Sequence, residues 1–321
     1  MTPLPGPSAC ADRLQLSVVA PMFNESECLA HFFERLETTL KPLGLSYEIV
    51  CVNDGSRDNT LALLREHRAR NPAIKVVNLS RNFGKDIALS AGIDHARGDA
   101  VVPIDSDLQD PPELIAEFVA KWREGFDVVY GTRRTRQGEG WFKRTSANLF
   151  YRVIDRMTAI DIPRNTGDFR LMDRRVVAAI GRLPERSRFM KGLFAWVGFR
   201  QTAVLYDRQP RHLGVTKWNY WRLWNFAIDG ITSFSSFPLK IWSYLGVFIA
   251  LLSIVYGVIR IIRHFIIGID VPGYDSLMVA ILFLGGVQLI SLGVIGEYMA
   301  RVYIEVKGRP LYLVRDLDGF E

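Results

Sequence analysis

Asp105-Ser106-Asp107-Leu108-Gln109-Asp110-Pro111-Pro112-Glu113 stands between two segments of opposite character. Before it, residues 101–104 form an apolar run that reads as a buried strand. After it, residues 112–123 carry proline in the first turn and apolar residues at three- and four-residue spacing (Leu114, Ile115, Phe118, Val119), which predicts a helix. Three carboxylates thus fall where a strand stops and a helix starts, the usual ligand position in an open α/β sheet. Asp105 and Asp107 are spaced to share a hard divalent cation, which keeps several waters and binds phosphate oxygens beside one or two carboxylates. A D-x-D pair arises by chance about once in a chain of this length. Taken alone it reads as a solvated acidic loop capping a helix, so its meaning depends on the rest of the chain.

Working outward, the same strand–polar loop–helix unit recurs. Residues 16–20 predict a strand ended by Pro21, after which Asn24 or Ser26 can cap a helix reaching about Leu40, with Leu29, Phe32, Phe33 and Leu36 inward. Residues 47–53 and 74–79 are the next strands, followed by the turn Asp54-Gly55-Ser56-Arg57-Asp58 and by Asn82-Phe83-Gly84-Lys85. Helices to about Arg70 and His95 separate them, and residues 128–130 form a fifth strand. The alternation predicts an α/β domain with a mostly parallel sheet and helices on both faces. Polar groups stand after every strand (Glu25, Asp54, Asn82, Asp105 and Asp107, Arg133), which a nucleotide site requires and a bland α/β fold does not. Further on come an Arg- and Gly-rich loop at 132–146, helices near 146–158 and 174–183, and a strand at 202–206.

Hydrophobic residues make up 49% of the chain, high for a purely soluble protein, and the excess is concentrated after residue 234. Residues 237–259 and 277–299 are each long enough to cross a bilayer, with Lys240 and Glu297 near their ends. Trp218, Tyr220, Trp221, Trp224, Phe226 and Phe234 are crowded among few charges just before these spans, which reads as interfacial helices in preference to a buried aromatic face. Net charge is +6 without a block of like charges, which fits an anionic membrane surface better than nucleic acid. Three cysteines without metal-ligand spacing fit a reducing compartment. The expected organisation is a disordered leader (1–11), a catalytic domain (12–216), interfacial amphipathic helices (217–236), two transmembrane helices (237–300) and a cytoplasmic tail (301–321). With two spans, domain and tail lie on the same side, the cytosolic one, which makes a multi-pass cytoplasmic membrane protein.

Several motifs together carry a family resemblance: Val19-Ala20-Pro21-Met22-Phe23-Asn24-Glu25, Val52-Asn53-Asp54-Gly55-Ser56, Asn82-Phe83-Gly84-Lys85, the acidic stretch, Gly167-Asp168-Phe169-Arg170-Leu171, the segment from Arg186 to Gly192, and Glu305-Val306-Lys307-Gly308-Arg309-Pro310. In this order, and with two apolar spans, the chain resembles the family-2 glycosyltransferases of GT-A fold that act on polyprenyl phosphates. Dolichyl-phosphate mannose synthase is a relative of this group, and the bacterial GtrB-type bactoprenol glucosyltransferases are the nearest in pattern.

The resemblance implies transfer of a hexose, glucose for preference, from UDP-glucose to undecaprenyl phosphate by inverting displacement. It implies that Pro21, Glu25, Asp54, Lys85, Asp105, Ser106 and Gln109 bind the nucleotide sugar, and that Asp105 and Asp107 hold Mg2+ or Mn2+. Asp168 and Asp107 take the catalytic positions, Asp168 as base or positioning group. Arg133, Lys143, Arg144, Arg186, Arg188 and Lys217 are the candidates for the lipid phosphate, since two anionic substrates need Arg and Lys clamps. A homo-tetramer packed through the spans is implied as well. Asp110, in place of Asn before the two prolines, leans toward the glucosyl relatives and away from aminoarabinose transferases.

The alternatives are the same reaction with UDP-N-acetylglucosamine, GDP-mannose or UDP-aminoarabinose, a processive polysaccharide synthase, and a non-catalytic membrane subunit. The synthase would carry Q-x-x-R-W, which this sequence lacks. The subunit would not need carboxylates at the strand ends. A hydride-transfer enzyme would need G-x-G-x-x-G where this chain has Pro21-Met22-Phe23-Asn24.

Overall fold

The computed structural model describes residues 14–134, 166–183, 185–186, 190–207, 237–267 and 273–320. Eight strands form one sheet: β1 (Leu16–Met22), β2 (Tyr47–Asn53), β3 (Ile74–Leu79), β4 (Ala100–Pro103), β5 (Val128–Arg133), β6 (Thr166–Asp173), β7 (Gln201–Tyr206) and β8 (Val314–Asp318). Around them lie α1 (Leu29–Leu40), α2 (Thr60–Arg70), α3 (Lys85–His95), α4 (Leu114–Arg123), α5 (Arg174–Gly181) and α6 (Met190–Trp196). Two longer helices, α7 (Phe237–Ile267) and α8 (Tyr274–Val306), belong to a second compact unit.

The strands were legible because they are nearly continuous apolar runs, the mark of strands covered on both faces. Val18, Ala20 and Met22 of β1 meet Phe32 and Leu36 of α1 and Phe118 of α4 in one core. On the opposite face Val19 and Val52 lie so close to Gly92 of α3 that a Cβ there would stand 2.3 Å from Val19. β1 runs on through Pro21, two residues beyond the expected end. Pro21 lacks an N–H on the side facing β4, and β4 pairs with β1 only as far as Val19 and Pro103, so no ladder bond is lost.

The sheet order is β7-β5-β6-β4-β1-β2-β3-β8. It is mostly parallel with two reversed strands: four pairings are parallel and three antiparallel. β6 inserts antiparallel between β4 and β5, and β8 pairs antiparallel with β3. Neither strand stands out in the sequence. β6 interleaves Gly167, Asp168 and Arg170 with its apolar residues, and β8 alternates acidic residues with apolar ones at a sheet edge. The expected tail thus supplies a strand of the catalytic sheet.

The capping of α1 also differs. Cys28 is its N-cap, without a side-chain cap bond. The Asn24 side chain instead accepts from Arg57 N–H at 2.8 Å, and Ser26 N–H donates to Asp58 at 3.2 Å. These two residues join the loop after β1 to the loop after β2. In the second unit, one stretch among the described residues, Phe283–Val306, is long and apolar enough to cross a membrane. The leader, the helix expected near 146–158 and the interfacial segment 217–236 lie outside the described residues.

Candidate active site

Parallel strands β4, β1, β2 and β3 all end at one edge, so the loops after them crowd together. The antiparallel strand β6 brings a fifth group to the same edge by its start. Its register pairs Asp173 with Ala100 and Met172 with Val101, so continuing along β6 brings Asp168 opposite Asp105. Lys85, at the first position of α3, closes the gap. Its ammonium lies 2.7 and 2.8 Å from the two oxygens of Asp105 and 3.1 Å from Asp168. Both carboxylates hold the Lys85 proton tightly, against burial that works the other way, and the net effect moves its pKa up. Burial is also the main influence on Asp105. It raises that carboxyl above its ordinary range although Lys85 opposes it.

Asp168 is held from behind. Arg170 is buried, donates to the Gly167 carbonyl at 2.9 Å, and stacks 3.9 Å over the ring of Phe194 on α6. Burial lowers its pKa to about 10. The motif Gly167-Asp168-Phe169-Arg170-Leu171 by itself gives Arg170 no role, because its partners are backbone and ring groups that sequence spacing does not reveal.

The acidic loop turns sharply after Asp105. The Leu108 N–H donates to the Asp105 carbonyl at 3.4 Å, and Leu108 adopts φ +53. A non-glycine residue there costs about 1–2 kcal/mol, which burial of the Leu108 side chain offsets. Asp107 accepts from Gln109 N–H at 3.1 Å. Ser106 is buried. Asp110 is buried too and accepts from the Tyr206 hydroxyl of β7. Its carboxylate therefore anchors the loop to the sheet.

Asp54 is buried at the end of β2 and its carboxylate grips the neighbouring loop. One oxygen accepts from Phe83 N–H at 2.7 Å and the other from Gly84 N–H at 3.0 Å. Burial raises its pKa, with these two hydrogen bonds opposing. Gly55 follows at φ +64, and a Cβ there would stand 2.5 Å from backbone atoms of Arg81 and Asn82. Only glycine lets these loops meet. Glu25 N–H donates to Thr60 at 2.9 Å, and its carboxylate accepts from the Cys28 thiol at 3.1 Å. Cys28, which sequence spacing did not single out, also feels the charge of Asp107. Burial, followed by Glu25, pushes its thiol up to about 12.

The structure therefore gathers Asp105 and Asp168 around Lys85, and places Pro21 near the end of β1 and Glu25, Asp54 and Asp107 in the loops of the same sheet edge. Arg186 is half-buried four residues ahead of the start of α6. The backbone of Arg133 ends β5, while Lys143, Arg144, Arg188 and Lys217 lie outside the described residues. Among the described residues no group of three or more His, Cys, Asp or Glu forms an all-protein metal cage. Two carboxylates two residues apart at a strand end are nevertheless the donor set of a divalent cation completed by waters and substrate phosphates, so Asp105 and Asp107 fit such an ion.

Residues 17–181 match the profile of glycosyl transferase family 2, and residues 237–302 match the GtrB C-terminal hairpin. The chain is 68% identical to an uncharacterised glycosyltransferase of Synechocystis, over 96% of this chain and 97% of that protein. It is 47% identical to the SfII prophage-derived bactoprenol glucosyl transferase of Shigella flexneri, over 94% and 98% respectively. Among solved structures, a glucosyl-3-phosphoglycerate synthase from Mycobacterium tuberculosis is 21% identical, with a TM-score of 0.44, over 69% of this chain and 78% of that one.

Proposed function

Since the chain belongs to glycosyl transferase family 2 and is a glycosyltransferase, we propose that it transfers glucose from UDP-glucose to the phosphate of undecaprenyl phosphate. The observation that carries this reading is the Lys85–Asp105–Asp168 cluster at the strand ends. It occurs in a chain 47% identical to a bactoprenol glucosyl transferase over nearly its full length.

An oxygen of the lipid phosphate attacks the anomeric carbon of the sugar. The bond from that carbon to the nucleoside diphosphate breaks, its electron pair leaves on the diphosphate, and configuration inverts. A phosphate monoester has a second pKa of about 6 and is largely ionised at pH 7, so a strong general base is dispensable. That favours a positioning role for Asp168, whose charge is already engaged by Lys85. Asp105 and Asp107 would hold Mg2+ or Mn2+, which when bound neutralises charge developing on the leaving diphosphate. The Lys85 ammonium adds a second positive charge beside that phosphate. Pro21, Glu25, Asp54, Ser106 and Gln109 line the nucleotide-sugar pocket. Each Asp54 oxygen retains a further lone pair for a ligand donor beyond its loop contacts.

Arg133, Lys143, Arg144, Arg186, Arg188 and Lys217 form the cationic set for the lipid phosphate. In this reading α7 and α8 are the two membrane spans, each longer than the roughly 20 residues that cross a hydrocarbon core. The domain organisation read from the sequence, with a cytosolic catalytic domain and a homo-oligomer, belongs to the same proposal.

The test uses full-length protein in nanodiscs containing undecaprenyl phosphate, with radiolabelled UDP-glucose, UDP-N-acetylglucosamine, GDP-mannose and UDP-aminoarabinose offered in turn. Label from UDP-glucose should enter the organic phase only when the lipid phosphate is present. Transfer from another donor alone would replace the sugar, and formation of long polymer would replace the reaction class. Arg186→Ala should raise KM for the lipid phosphate far more than KM for the nucleotide sugar.

A further inference from the structure

Four residues stand side by side where β1, β2 and β3 end. Met22 pairs with Asn53, Asn53 with Asn78, and Asn78 with Asp316 of β8. The last three side chains form one hydrogen-bonded line. Ser56 N–H donates to the Asn53 side-chain Oδ1 at 3.3 Å, the Asn53 side-chain amide donates to Asn78 Oδ1 at 2.8 Å, and the Asn78 side-chain amide donates to Asp316 at 2.8 Å. Asn53 and Asn78 are buried. Asp316 closes the line and is itself paired with Arg65 of α2.

Every bond in this line points the same way, toward the carboxylate. A carboxylate accepts only, so it fixes the face Asn78 presents, and Asn78 in turn fixes Asn53. Bonds aligned head to tail polarise one another, and the one ending on a charge is the strongest. What the line holds is the turn Asp54-Gly55-Ser56. From there Ser56 accepts from Asn24 N–H at 3.0 Å, so the loop after β1 is held as well.

We infer that Asp316, on the strand that follows the second long helix, is a positioning residue for the nucleotide-sugar pocket, acting through Asn78 and Asn53. The inference rests on the proposal that the Asp54 turn lines that pocket. The acceptor phosphate makes no use of the line, so loss of Asp316 should weaken the donor side alone.

The experiment measures KM for UDP-glucose, KM for undecaprenyl phosphate, kcat, and UDP affinity by calorimetry on full-length variants. Asp316→Leu should raise KM for UDP-glucose and Kd for UDP by roughly tenfold, the worth of one charge-assisted bond. Its kcat and lipid KM should stay within about twofold of the parent. Asp316→Asn keeps an acceptor for Asn78 without the charge and should rescue donor KM in part, to between the Asp316→Leu and parental values, whereas Arg65→Gln, which removes only the ion pair, should leave it near-parental. Asn78→Ala should reproduce the Asp316→Leu defect without adding to it in the double variant. If Asp316→Leu does not fold, Asn78→Ala carries the same test with the Arg65 pair intact. A uniform loss in both KM values and kcat, additive effects, or failure of Asp316→Asn to rescue would overturn the inference. Asp54→Ala separates the two levels: if it leaves UDP binding unchanged, the pocket assignment itself fails. If it abolishes binding while Asp316→Leu has no effect, only the role of Asp316 fails.

Discussion

The Lys85 ammonium lies 3.1 Å from the Asp168 carboxylate although the two residues come from a helix start and a strand start far apart in sequence. The same ammonium also holds Asp105. One cation thus joins the loop proposed to bind the diphosphate to the carboxylate proposed to act at the sugar.

Replacing that cation should be costly for chemistry and cheap for folding. Lys85→Met keeps the length of the side chain at a half-exposed site and leaves Asp105 and Asp168 facing each other without a counter-charge. Removal of one preorganised electrostatic group lowers kcat by about 10²–10³, and a loss of that order is expected with thermal melting little changed. Parental turnover in Lys85→Met would remove the lysine from the reaction.

Asp168→Asn should separate positioning from binding. Its carboxylate is mostly covered and its backbone is pinned by Arg170, so an isosteric amide fits the same space. Turnover should fall by at least about a hundredfold, while UDP affinity by calorimetry stays near the parent value. A matching loss of UDP affinity would place Asp168 in the donor pocket.

Metal dependence should rest on the acidic loop. Exhaustive EDTA treatment is expected to abolish transfer, and Mg2+ or Mn2+ to restore it. Asp107→Asn should need a higher metal concentration for half-maximal activity, with circular dichroism unchanged. Full activity in chelator would remove the metal from the proposed site.

Acid stability should depend on Asp173. Burial pushes this carboxyl up, but hydrogen bonds from Arg175 N–H, the Trp122 ring N–H and the Arg175 guanidinium together outweigh it, and the net pKa is lowered. A depressed folded pKa contributes stability that is present above the ordinary carboxylate value near 4 and is lost as pH falls through the folded value. Asp173→Asn keeps a cap acceptor but loses the charge, and should therefore melt a few degrees lower than the parent at pH 7, as expected for a loss of about 1 kcal/mol of charge-assisted hydrogen bonding. The gap should shrink as pH falls through and below the ordinary carboxylate range. A gap independent of pH would assign the loss to packing.

What the sequence determined is what local pattern can encode. Apolar runs fixed β2 and β3 to the residue, three- and four-residue spacing fixed the buried face of α1, and the recurrence of polar groups after strands located the site edge. Family motifs pointed to the same residues, Asp168 included. Tertiary structure alone decided which strands pair. Whether a strand lies parallel or antiparallel, and between which neighbours, depends on contacts distant in sequence, and the alternation of side chains is the same either way. So the antiparallel insertion of β6, which sets Asp168 opposite Asp105, was not legible in Gly167-Asp168-Phe169-Arg170. Nor was the return of residues 314–318 to the sheet edge, where Asp316 meets Asn78. The direction of a polar side chain was equally hidden. Spacing did not show that Asp54 also grips the backbone N–H groups of the next loop, or that Asp110 takes a tyrosine hydroxyl; burial drives both, because an unpaired carboxylate inside the fold would cost more than either contact.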